Sequence, residues 1–305
     1  MEGNHMKIIK EKYSIKKVVV ATDETIAYRK AGDGPRTFLL IHGNTSSSVW
    51  LEELMEQLAV DNTVYAIDLP GFGDSSYLHP QYSLEQISLD VMDFIMKMQL
   101  QDIYLLGWST GGGVSMELAA KIPERIKSLI LLSSIGVRGY PFYKQNIFNP
   151  FSRELIQTRE EMHEYNMLVN PMLRVFDQHN RYLMQTLMER TLYNKKIPSQ
   201  KLLDKYVDGA LKQRNYVDIL TCIANFNITN DKGFGVEGSG HADLIEAPIH
   251  IIHGDEDLVL SLDIAYDMSD YFGTQASLKI FRGCGHSILT DDLPGLTQYI
   301  RSLYL

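Results

Sequence analysis

Short runs of apolar residues alternate with amphipathic stretches along the first part of the chain. The apolar runs cover residues 37–41, 64–67, 103–106 and 128–132. A strand that is apolar at every position is buried on both faces, which is typical of a parallel sheet between two layers of helices. Between the runs, apolar positions recur at helical spacing, as at Leu84, Ile87, Val91 and Phe94. This order predicts an α/β fold with a mainly parallel central sheet and helices on both faces.

Two local signals refine this pattern near the N-terminus. Residues 16–30 form two β-rich runs around a turn at residues 22–24, which predicts a β-hairpin. The sequence Ser83-Leu84-Glu85-Gln86 has the form of a capping box, in which the first and fourth side chains each bond to the backbone N–H of the other. It predicts that a helix begins directly after Ser83.

The alternation of strands and helices stops after Ile135 and resumes at Pro248. The residues in between show helical patterns at 153–168, 177–193, 199–214 and 216–226, the third with Ser199 as its cap. We therefore expect a helical cap, residues 136–246, inserted into a core made of residues 1–135 and 247–305. Within the second part of the core, the pattern predicts strands at 248–253 and 277–281 and helices at 262–272 and 293–303.

Methionines are frequent in the expected cap, at Met162, Met167, Met172, Met184 and Met188. We expect most of them to pack within the cap and some to line an apolar substrate cavity, because methionine adapts to irregular shapes. The sequence does not separate the two groups. Since the cap leaves the core after the strand that ends near Ser133, we expect it to roof the carboxyl edge of the sheet.

The main chemical signal is Gly107-Trp108-Ser109-Thr110-Gly111, which lies between an apolar run and an amphipathic stretch. This is the order strand, sharp turn and helix, and a serine on such a turn projects its hydroxyl away from the sheet. The turn forces the serine into an uncommon backbone conformation, so its neighbours Gly107 and Gly111 must lack Cβ atoms. The helix that follows directs free N–H groups at the serine oxygen. The pattern predicts that Ser109 is a nucleophile.

A serine hydroxyl needs a base to take its proton and a carboxylate to orient that base. Of the nine histidines, His286 lies in a glycine-bounded turn after the last predicted strand, and we predict it to be the base. Asp255 and Asp257 both follow the preceding strand, and we prefer Asp257, which directly precedes an apolar pair. We expect His42 and His253 to be structural.

The tetrahedral intermediate of acyl transfer needs N–H donors for its oxyanion. One is expected from Thr110, directly after the nucleophile, and the other from Asn44, which follows His42-Gly43 at the end of an earlier strand. The acidic cluster Asp255-Glu256-Asp257 could suggest a cation site, but no His or Cys motif supports one. We therefore expect neither a metal ion nor a cofactor.

Composition excludes several classes of partner. The 305 residues carry a formal net charge of -9 without a basic run, which makes nucleic acids and anionic lipids poor partners. No apolar stretch is long enough to span a membrane, and the N-terminal residues lack the apolar segment of a secretory signal. The two cysteines, Cys222 and Cys284, are expected to be reduced. We expect a cytoplasmic protein that acts on a small molecule, and its oligomeric state stays open.

As a set, the strand-end motifs resemble those of the α/β-hydrolase superfamily, in its capped branch. The motifs are His42-Gly43-Asn44, Asp68-Leu69-Pro70-Gly71-Phe72-Gly73-Asp74-Ser75, Gly107-Trp108-Ser109-Thr110-Gly111-Gly112, Gly254-Asp255-Glu256-Asp257 and Gly283-Cys284-Gly285-His286. The order Ser, Asp, His along the chain is also that of the superfamily. The resemblance covers nearly the whole chain outside the expected cap and implies the α/β-hydrolase fold with a Ser-His-Asp triad.

The motifs do not identify the substrate. The superfamily includes carboxylesterases, lactonases, carbon–carbon bond hydrolases of aromatic breakdown and cofactor-free haloperoxidase-like enzymes. The turn around Ser109 resembles the last group, but the loop after His42 lacks the proline that is common there. Ser109 argues against dehalogenases and epoxide hydrolases, which carry an aspartate nucleophile. We predict a serine hydrolase acting on a carboxylic ester or related acyl compound; the alternatives are a carbon–carbon bond hydrolase or haloperoxidase-like enzyme on the same triad, and a ligand-binding receptor of this fold.

Overall fold

Eight strands form one sheet in the computed structural model, which describes residues 13–144, 153–165 and 168–304. In chain order the strands are β1 (Lys16–Val19), β2 (Thr25–Ala31), β3 (Thr37–Ile41), β4 (Thr63–Ile67), β5 (Ile103–Trp108), β6 (Ile126–Leu132), β7 (Ile249–Gly254) and β8 (Ala276–Phe281). Their order across the sheet is β1-β2-β4-β3-β5-β6-β7-β8. The pairs β1–β2 and β2–β4 are antiparallel, and all pairs from β4 to β8 are parallel. The predicted hairpin and the mainly parallel sheet are confirmed.

The α-helices of the described residues are α1 (Glu52–Leu58), α2 (Leu84–Lys97), α3 (Thr110–Lys121), α4 (Arg159–His163), α5 (Val169–Asp177), α6 (Arg181–Thr191), α7 (Gln200–Ala210), α8 (Tyr216–Ala224), α9 (Leu262–Phe272), α10 (Ile288–Asp291) and α11 (Leu293–Ser302). Helices α4 to α8 lie in the chain between β6 and β7, where the alternation of strands and helices was expected to stop. None of the helices in the described ranges combines the length and the apolar character that a membrane span needs.

The apolar runs that predicted the strands lie inside the molecule. Phe38, Leu39, Leu40 and Ile41 of β3 have no exposed surface, although their side chains alternate between the two faces of the sheet. Burial on both faces requires cover on both sides, which helix packing supplies: α1 packs against α11, and α2 packs against α3. The central strands are therefore held by apolar contacts at every position rather than at every second one.

The helices between β6 and β7 are shorter than predicted, and one of them was not predicted. Helix α4 begins at Arg159 rather than at 153, because Thr158 and Glu161 form a complete capping box that fixes its first turn. Helix α5 was not predicted; Pro171 lies in its first turn, where a missing N–H removes no helical hydrogen bond. Residues 166 and 167, including Met167, lie outside the described residues.

The two predicted caps are only partly as expected. The Ser83 hydroxyl accepts a hydrogen bond from Gln86 N–H at 3.0 Å, which caps α2 as predicted. The return bond goes elsewhere, because Gln86 Oε1 accepts from Tyr82 N–H at 3.0 Å. Ser199 precedes α7 but makes no capping bond with its side chain.

The parallel strands bring the predicted site residues to one edge of the sheet. Asn44 follows β3, Ser109 follows β5, Asp257 follows β7 and His286 follows β8. The carboxyl ends of parallel strands share an edge, and ligands of such sheets lie beyond it. The fold therefore collects side chains that are far apart in the sequence.

Candidate active site

Ser109 occupies the sharp turn between β5 and α3. Its φ of 55° and ψ of -121° lie outside the regions that residues other than glycine ordinarily adopt. Ser109 N–H donates to Leu132 O at 3.0 Å. The Ser109 carbonyl accepts from the N–H groups of Gly112 and Ile135, at 3.0 and 3.2 Å. The uncommon conformation is thus fixed by the neighbouring backbone, as in a strained strand-to-helix turn that presents a serine hydroxyl.

The loop after β3 passes very close to this turn. A Cβ atom at Gly43 would lie 2.7 Å from Ser109 Cβ and 3.3 Å from Ser109 Oγ. A Cβ atom at Gly111 would lie 2.5 Å from the carbonyl oxygens of Ile41 and His42. Only glycine fits at either position, so the end of β3 and the start of α3 pack directly together, with Asn44 beside Ser109.

His286 and Asp257 form a buried hydrogen-bonded pair. His286 Nδ1 lies 2.7 Å from Asp257 Oδ2, and the Asp257 side chain has no exposed surface. The other carboxylate oxygen of Asp257 accepts from the N–H groups of Val259 and Leu260, at 2.8 and 3.0 Å. Burial by itself raises the pKa of Asp257, but the bonds from His286 and from these two N–H groups outweigh it and hold the pKa below its ordinary value.

This pair fixes the protonation pattern of the imidazole. Because an ionised carboxylate only accepts hydrogen bonds, His286 Nδ1 carries a hydrogen, and in the neutral imidazole the lone pair is therefore on Nε2. The His286 backbone is also held, since its carbonyl accepts from Trp108 Nε1 at 3.1 Å. The arrangement leaves Nε2 able to take a proton from a nearby hydroxyl.

Asp255, the other candidate for the carboxylate, has a different role. Asp255 Oδ1 accepts from Gly283 N–H at 2.7 Å, and Oδ2 lies 3.2 Å from the guanidinium of Arg282. These bonds join the loops after β7 and β8. The structure therefore brings Asp257, and not Asp255, to His286.

His42 and His253 are occupied by backbone groups, which is consistent with structural roles. His42 Nε2 accepts from Leu69 N–H at 3.1 Å, and Nδ1 lies 2.7 Å from Gly43 O. Burial lowers the pKa of both imidazoles, so both are neutral at neutral pH. His253 Nε2 lies 3.0 Å from Leu260 O and supports the loop that carries Asp257.

Asn44 and Thr110 are the residues whose backbone N–H groups are predicted to bind the oxyanion. Thr110 is the first residue of α3, where a helix has no internal acceptor for the N–H. Within the described residues, neither N–H group donates to a carbonyl. Both residues line the same cavity as Ser109 and His286. Two backbone donors without a carbonyl acceptor, on residues that share a cavity wall with the serine, meet a requirement of an oxyanion hole.

The cavity above Ser109 has a volume of about 390 Å³. One part of its wall comes from strand-end loops: Asn44, Thr45, Ser109, Thr110, Ile135, Leu258, Val259, Leu260 and His286. The remainder comes from the segment between β6 and β7: Tyr140, Phe142, Leu168, Met172, Met184, Leu187, Met188, Thr191, Leu192, Tyr216, Leu220 and Ile223. None of these described wall residues is Asp, Glu, Lys or Arg.

Sequence reasoning missed which residues form this wall. Met172, Met184 and Met188 face the cavity, whereas Met162 is fully buried elsewhere. Both kinds of methionine occupy apolar helical positions, so the hydrophobic period does not distinguish them. Only the packing of several helices together decides which side chains face the cavity.

The remaining candidate groups offer no second reactive centre in the described part of the chain. No cluster of three or more His, Cys, Asp or Glu side chains that could hold a metal ion occurs among the described residues. Cys222 and Cys284 are free and buried. Burial, together with nearby acidic residues, raises the pKa of Cys284 to about 11, so its thiol is protonated at neutral pH.

Comparisons with known proteins agree on one family for this chain. Residues 36–293 match the family model described as the alpha/beta hydrolase fold. An uncharacterized protein of Mycobacterium tuberculosis is 36% identical over 111 residues, which are 36% of this chain and 32% of the relative. A pimeloyl-[acyl-carrier protein] methyl ester esterase of Pseudoalteromonas atlantica is 29% identical over 154 residues, which are 48% of this chain and 57% of the esterase. The chain thus spans about a third of the length of the first curated relatives that it matches.

Solved structures agree with the family match at the level of the fold. An esterase from Exiguobacterium antarcticum superposes with a TM-score of 0.71, covering 94% of this chain and 98% of the esterase, at 17% identity. At this identity the similarity shows the fold alone. The activity has to be argued from the side chains of the site.

Proposed function

We propose that this chain, which belongs to the α/β-hydrolase fold family, is a serine hydrolase of carboxylic esters. Ser109 is the nucleophile, His286 the base and Asp257 the residue that orients the base. The N–H groups of Asn44 and Thr110 bind the oxyanion. The observation that carries the proposal is the 2.7 Å bond between His286 and buried Asp257, at a cavity whose wall also contains Ser109 in a strained turn.

The proposed reaction proceeds through an acyl-enzyme. Ser109 Oγ attacks the carbonyl carbon while His286 Nε2 takes the hydroxyl proton, and the carbonyl oxygen becomes the oxyanion. The intermediate collapses, and the leaving alcohol takes the proton from His286. Water then gives a proton to His286 and attacks the acyl carbon, and Ser109 recovers its proton as the acid leaves. The hydrogen bond to Asp257 stabilises the imidazolium in both halves of the cycle.

Residues 136–246 are proposed to form a cap that provides most of the acyl pocket. The support is the wall of the cavity, where apolar side chains of this segment face the strand-end loops. Since the described wall contains no side chain with a full charge, a carboxylate on the acyl chain would lose its hydration without gaining a partner. We therefore propose an uncharged, apolar acyl group as the substrate class.

The test is to identify the labelled residue and to measure turnover. A fluorophosphonate should label Ser109, which mass spectrometry of peptides would locate. Ser109→Ala should lower kcat for acyl esters by about 10⁴- to 10⁶-fold, because removal of a triad nucleophile costs that much elsewhere. Circular dichroism would check that the variant folds.

A substrate panel separates this proposal from its rivals. The panel contains acyl esters, lactones and β-diketones of graded chain length. We expect multiple turnovers on the esters. Faster cleavage of β-diketones would favour a carbon–carbon bond hydrolase on the same triad. Tight binding without turnover would favour a receptor. Labelling of another residue, or ordinary ester hydrolysis by Ser109→Ala, would refute the mechanism.

A further inference from the structure

Gln213 reaches from the segment between β6 and β7 to the loop that carries Asn44. It lies in the turn between α7 and α8, and its side chain is almost completely buried. Gln213 Oε1 accepts from Thr45 N–H at 3.0 Å. Gln213 Nε2 donates to Asn44 Oδ1 at 2.7 Å. One side chain therefore holds two consecutive residues of this loop.

The direction of these hydrogen bonds is determined by the backbone. Thr45 N–H can only donate, so the atom facing it must be the oxygen of the Gln213 amide. Both hydrogens of Gln213 Nε2 are then used, because Nε2 also lies 3.1 Å from Asn215 Oδ1. Each polar atom of the Gln213 side chain has a partner, and the amide has only this one orientation.

A second layer of amides supports Gln213 from behind. Asn215 Nδ2 donates to Pro70 O at 2.9 Å and to Gln81 Oε1 at 2.5 Å. Gln81 Nε2 also donates to Pro70 O, at 2.9 Å. Asn215 is 1% exposed and Gln81 is 4% exposed. A buried network of amides with this many hydrogen bonds is rigid, so it holds Gln213 in a fixed position.

The loop needs this support because its backbone is unusual. Thr45 has a φ of 52°, a left-handed conformation that is uncommon for a β-branched residue. The bond to Thr45 N–H holds the peptide unit that directly follows Asn44. The orientation of that unit is coupled to the Asn44 N–H through the Asn44 φ and ψ angles alone.

We propose that Gln213 is a positioning residue for the oxyanion hole. It holds the loop after β3 in the one conformation in which Asn44 N–H can meet the developing negative charge. This inference rests on the proposed serine hydrolase function. It also implies that residues 136–246, which are expected to bind the acyl group, contribute through Gln213 to the oxyanion hole.

The test is Gln213→Met, which keeps the length of the side chain and removes all three hydrogen bonds. We expect kcat for a good acyl ester to fall by about 10- to 100-fold, less than the loss of a whole oxyanion donor, with KM within about two-fold. The inhibition constant of an alkyl trifluoromethyl ketone, which forms an oxyanion on binding to the serine, should rise by the same factor as kcat falls. A purely structural residue would not produce this match.

Asn227→Leu is the matched control. Asn227 is also a buried amide of the segment between β6 and β7, and it donates to Asp231 O at 2.8 Å and Val236 O at 3.0 Å, away from the cavity. It should lower the melting temperature about as much as Gln213→Met does, with kcat unchanged. The inference fails if Gln213→Met keeps wild-type kcat and ketone affinity. It also fails if Asn227→Leu loses as much kcat and as much ketone affinity as Gln213→Met does.

A second variant covers the case in which Gln213→Met does not fold. Gln213→Glu keeps an acceptor for Thr45 N–H but, when ionised, has no donor for Asn44. Its kcat relative to wild type should rise as the pH falls, because protonation restores one donor; a pH-independent ratio contradicts the inference. Fluorophosphonate labelling of Ser109 in the wild type is measured separately. If Ser109 is not labelled, the proposed hydrolase function fails, whatever the Gln213 variants show.

Discussion

The two sides of the cavity are built in different ways. On the strand-end side, hydrogen bonds fix the important side chains: two backbone N–H groups hold Asp257, Asp257 holds His286, and Ser109 lies in its own strained and hydrogen-bonded turn. On the opposite side, methionine, leucine and aromatic side chains from helices meet the cavity through apolar contacts. Hydrogen bonds define atomic positions to within a few tenths of an ångström, whereas apolar contacts tolerate the replacement of one side chain by another of different shape.

This difference separates reaction from selectivity. A reaction needs atoms at exact distances, so its residues belong to the part of the molecule where the backbone determines the geometry. Selectivity for an acyl chain needs only volume and apolar surface, which many combinations of side chains supply. Changes on the strand-end side, and at Gln213, which holds the Asn44 loop, should therefore lower the rate for every substrate. Changes among the apolar side chains that line the cavity should change the preferred substrate.

The largest expected effect in this comparison is that of Asp257→Asn. The asparagine oxygen would keep the bonds from Val259 and Leu260, so its NH₂ group would face His286 Nδ1. The hydrogen of the imidazole would then move to Nε2, where it blocks proton uptake from Ser109. We expect kcat to fall by about 10⁴-fold, as for the wrong tautomer in other triads.

Asp255→Asn is the matched control, two residues away on the same loop. Its oxygen could still accept from Gly283 N–H, the bond that joins the loops after β7 and β8. Activity should stay within a few-fold of wild type. If Asp255→Asn lost more activity than Asp257→Asn, with both variants folded, the proposed assignment would have to be reversed.

The strand-end side was also the side that the sequence could predict. The glycines around Ser109 follow from the backbone requirements of its turn, and the order Ser, Asp, His follows from the resemblance to the superfamily. The pairing of His286 with Asp257 rather than Asp255 was preferred from the position of Asp257 in its loop. The structure gives a distance of 2.7 Å between His286 Nδ1 and Asp257 Oδ2. The parallel sheet was predictable because burial on both faces leaves wholly apolar runs.

The helical side could not be predicted to the same depth. Helix α5 was missed although Pro171 is compatible with a first turn, and the capping box at Thr158 was overlooked. The contact of Gln213 with Asn44 joins residues 169 positions apart, and no periodicity indicates it. A glutamine in a turn looks like a solvated residue until the tertiary structure places it.

A moderate effect is expected from Met188→Ala, which enlarges the helical side of the cavity. Each methylene that enters an apolar pocket contributes about 0.8 kcal/mol, or roughly a four-fold gain in kcat/KM. The substitution removes three heavy atoms, so the preferred acyl chain should become longer by about two carbons. A series of p-nitrophenyl esters of increasing chain length measures this shift.

Met162→Ala provides the control, because Met162 is fully buried but is not part of the cavity wall. It should lower stability by about 2 to 5 kcal/mol and leave the chain-length optimum unchanged. Both variants should react with a small fluorophosphonate as fast as the wild type. An optimum that stays in place in Met188→Ala would show that the helical side does not select the acyl group.

The smallest effect is expected at Cys284, which lies two residues from His286 on the strand-end side. Proximity alone would suggest a reactive thiol, but burial and the surrounding acidic residues raise its pKa to about 11. A raised pKa means less thiolate at a given pH; at pH 8 only about one thiol in a thousand is ionised. Alkylation by iodoacetamide should therefore be slow at neutral pH and increase about ten-fold with each pH unit below the pKa, while Cys284→Ala keeps kcat within about two-fold of wild type. Rapid alkylation of Cys284 at pH 7, with a loss of activity that a reversible ligand of Ser109 prevents, would place the thiol beside the reacting groups and contradict its assignment as a protonated, unreactive residue.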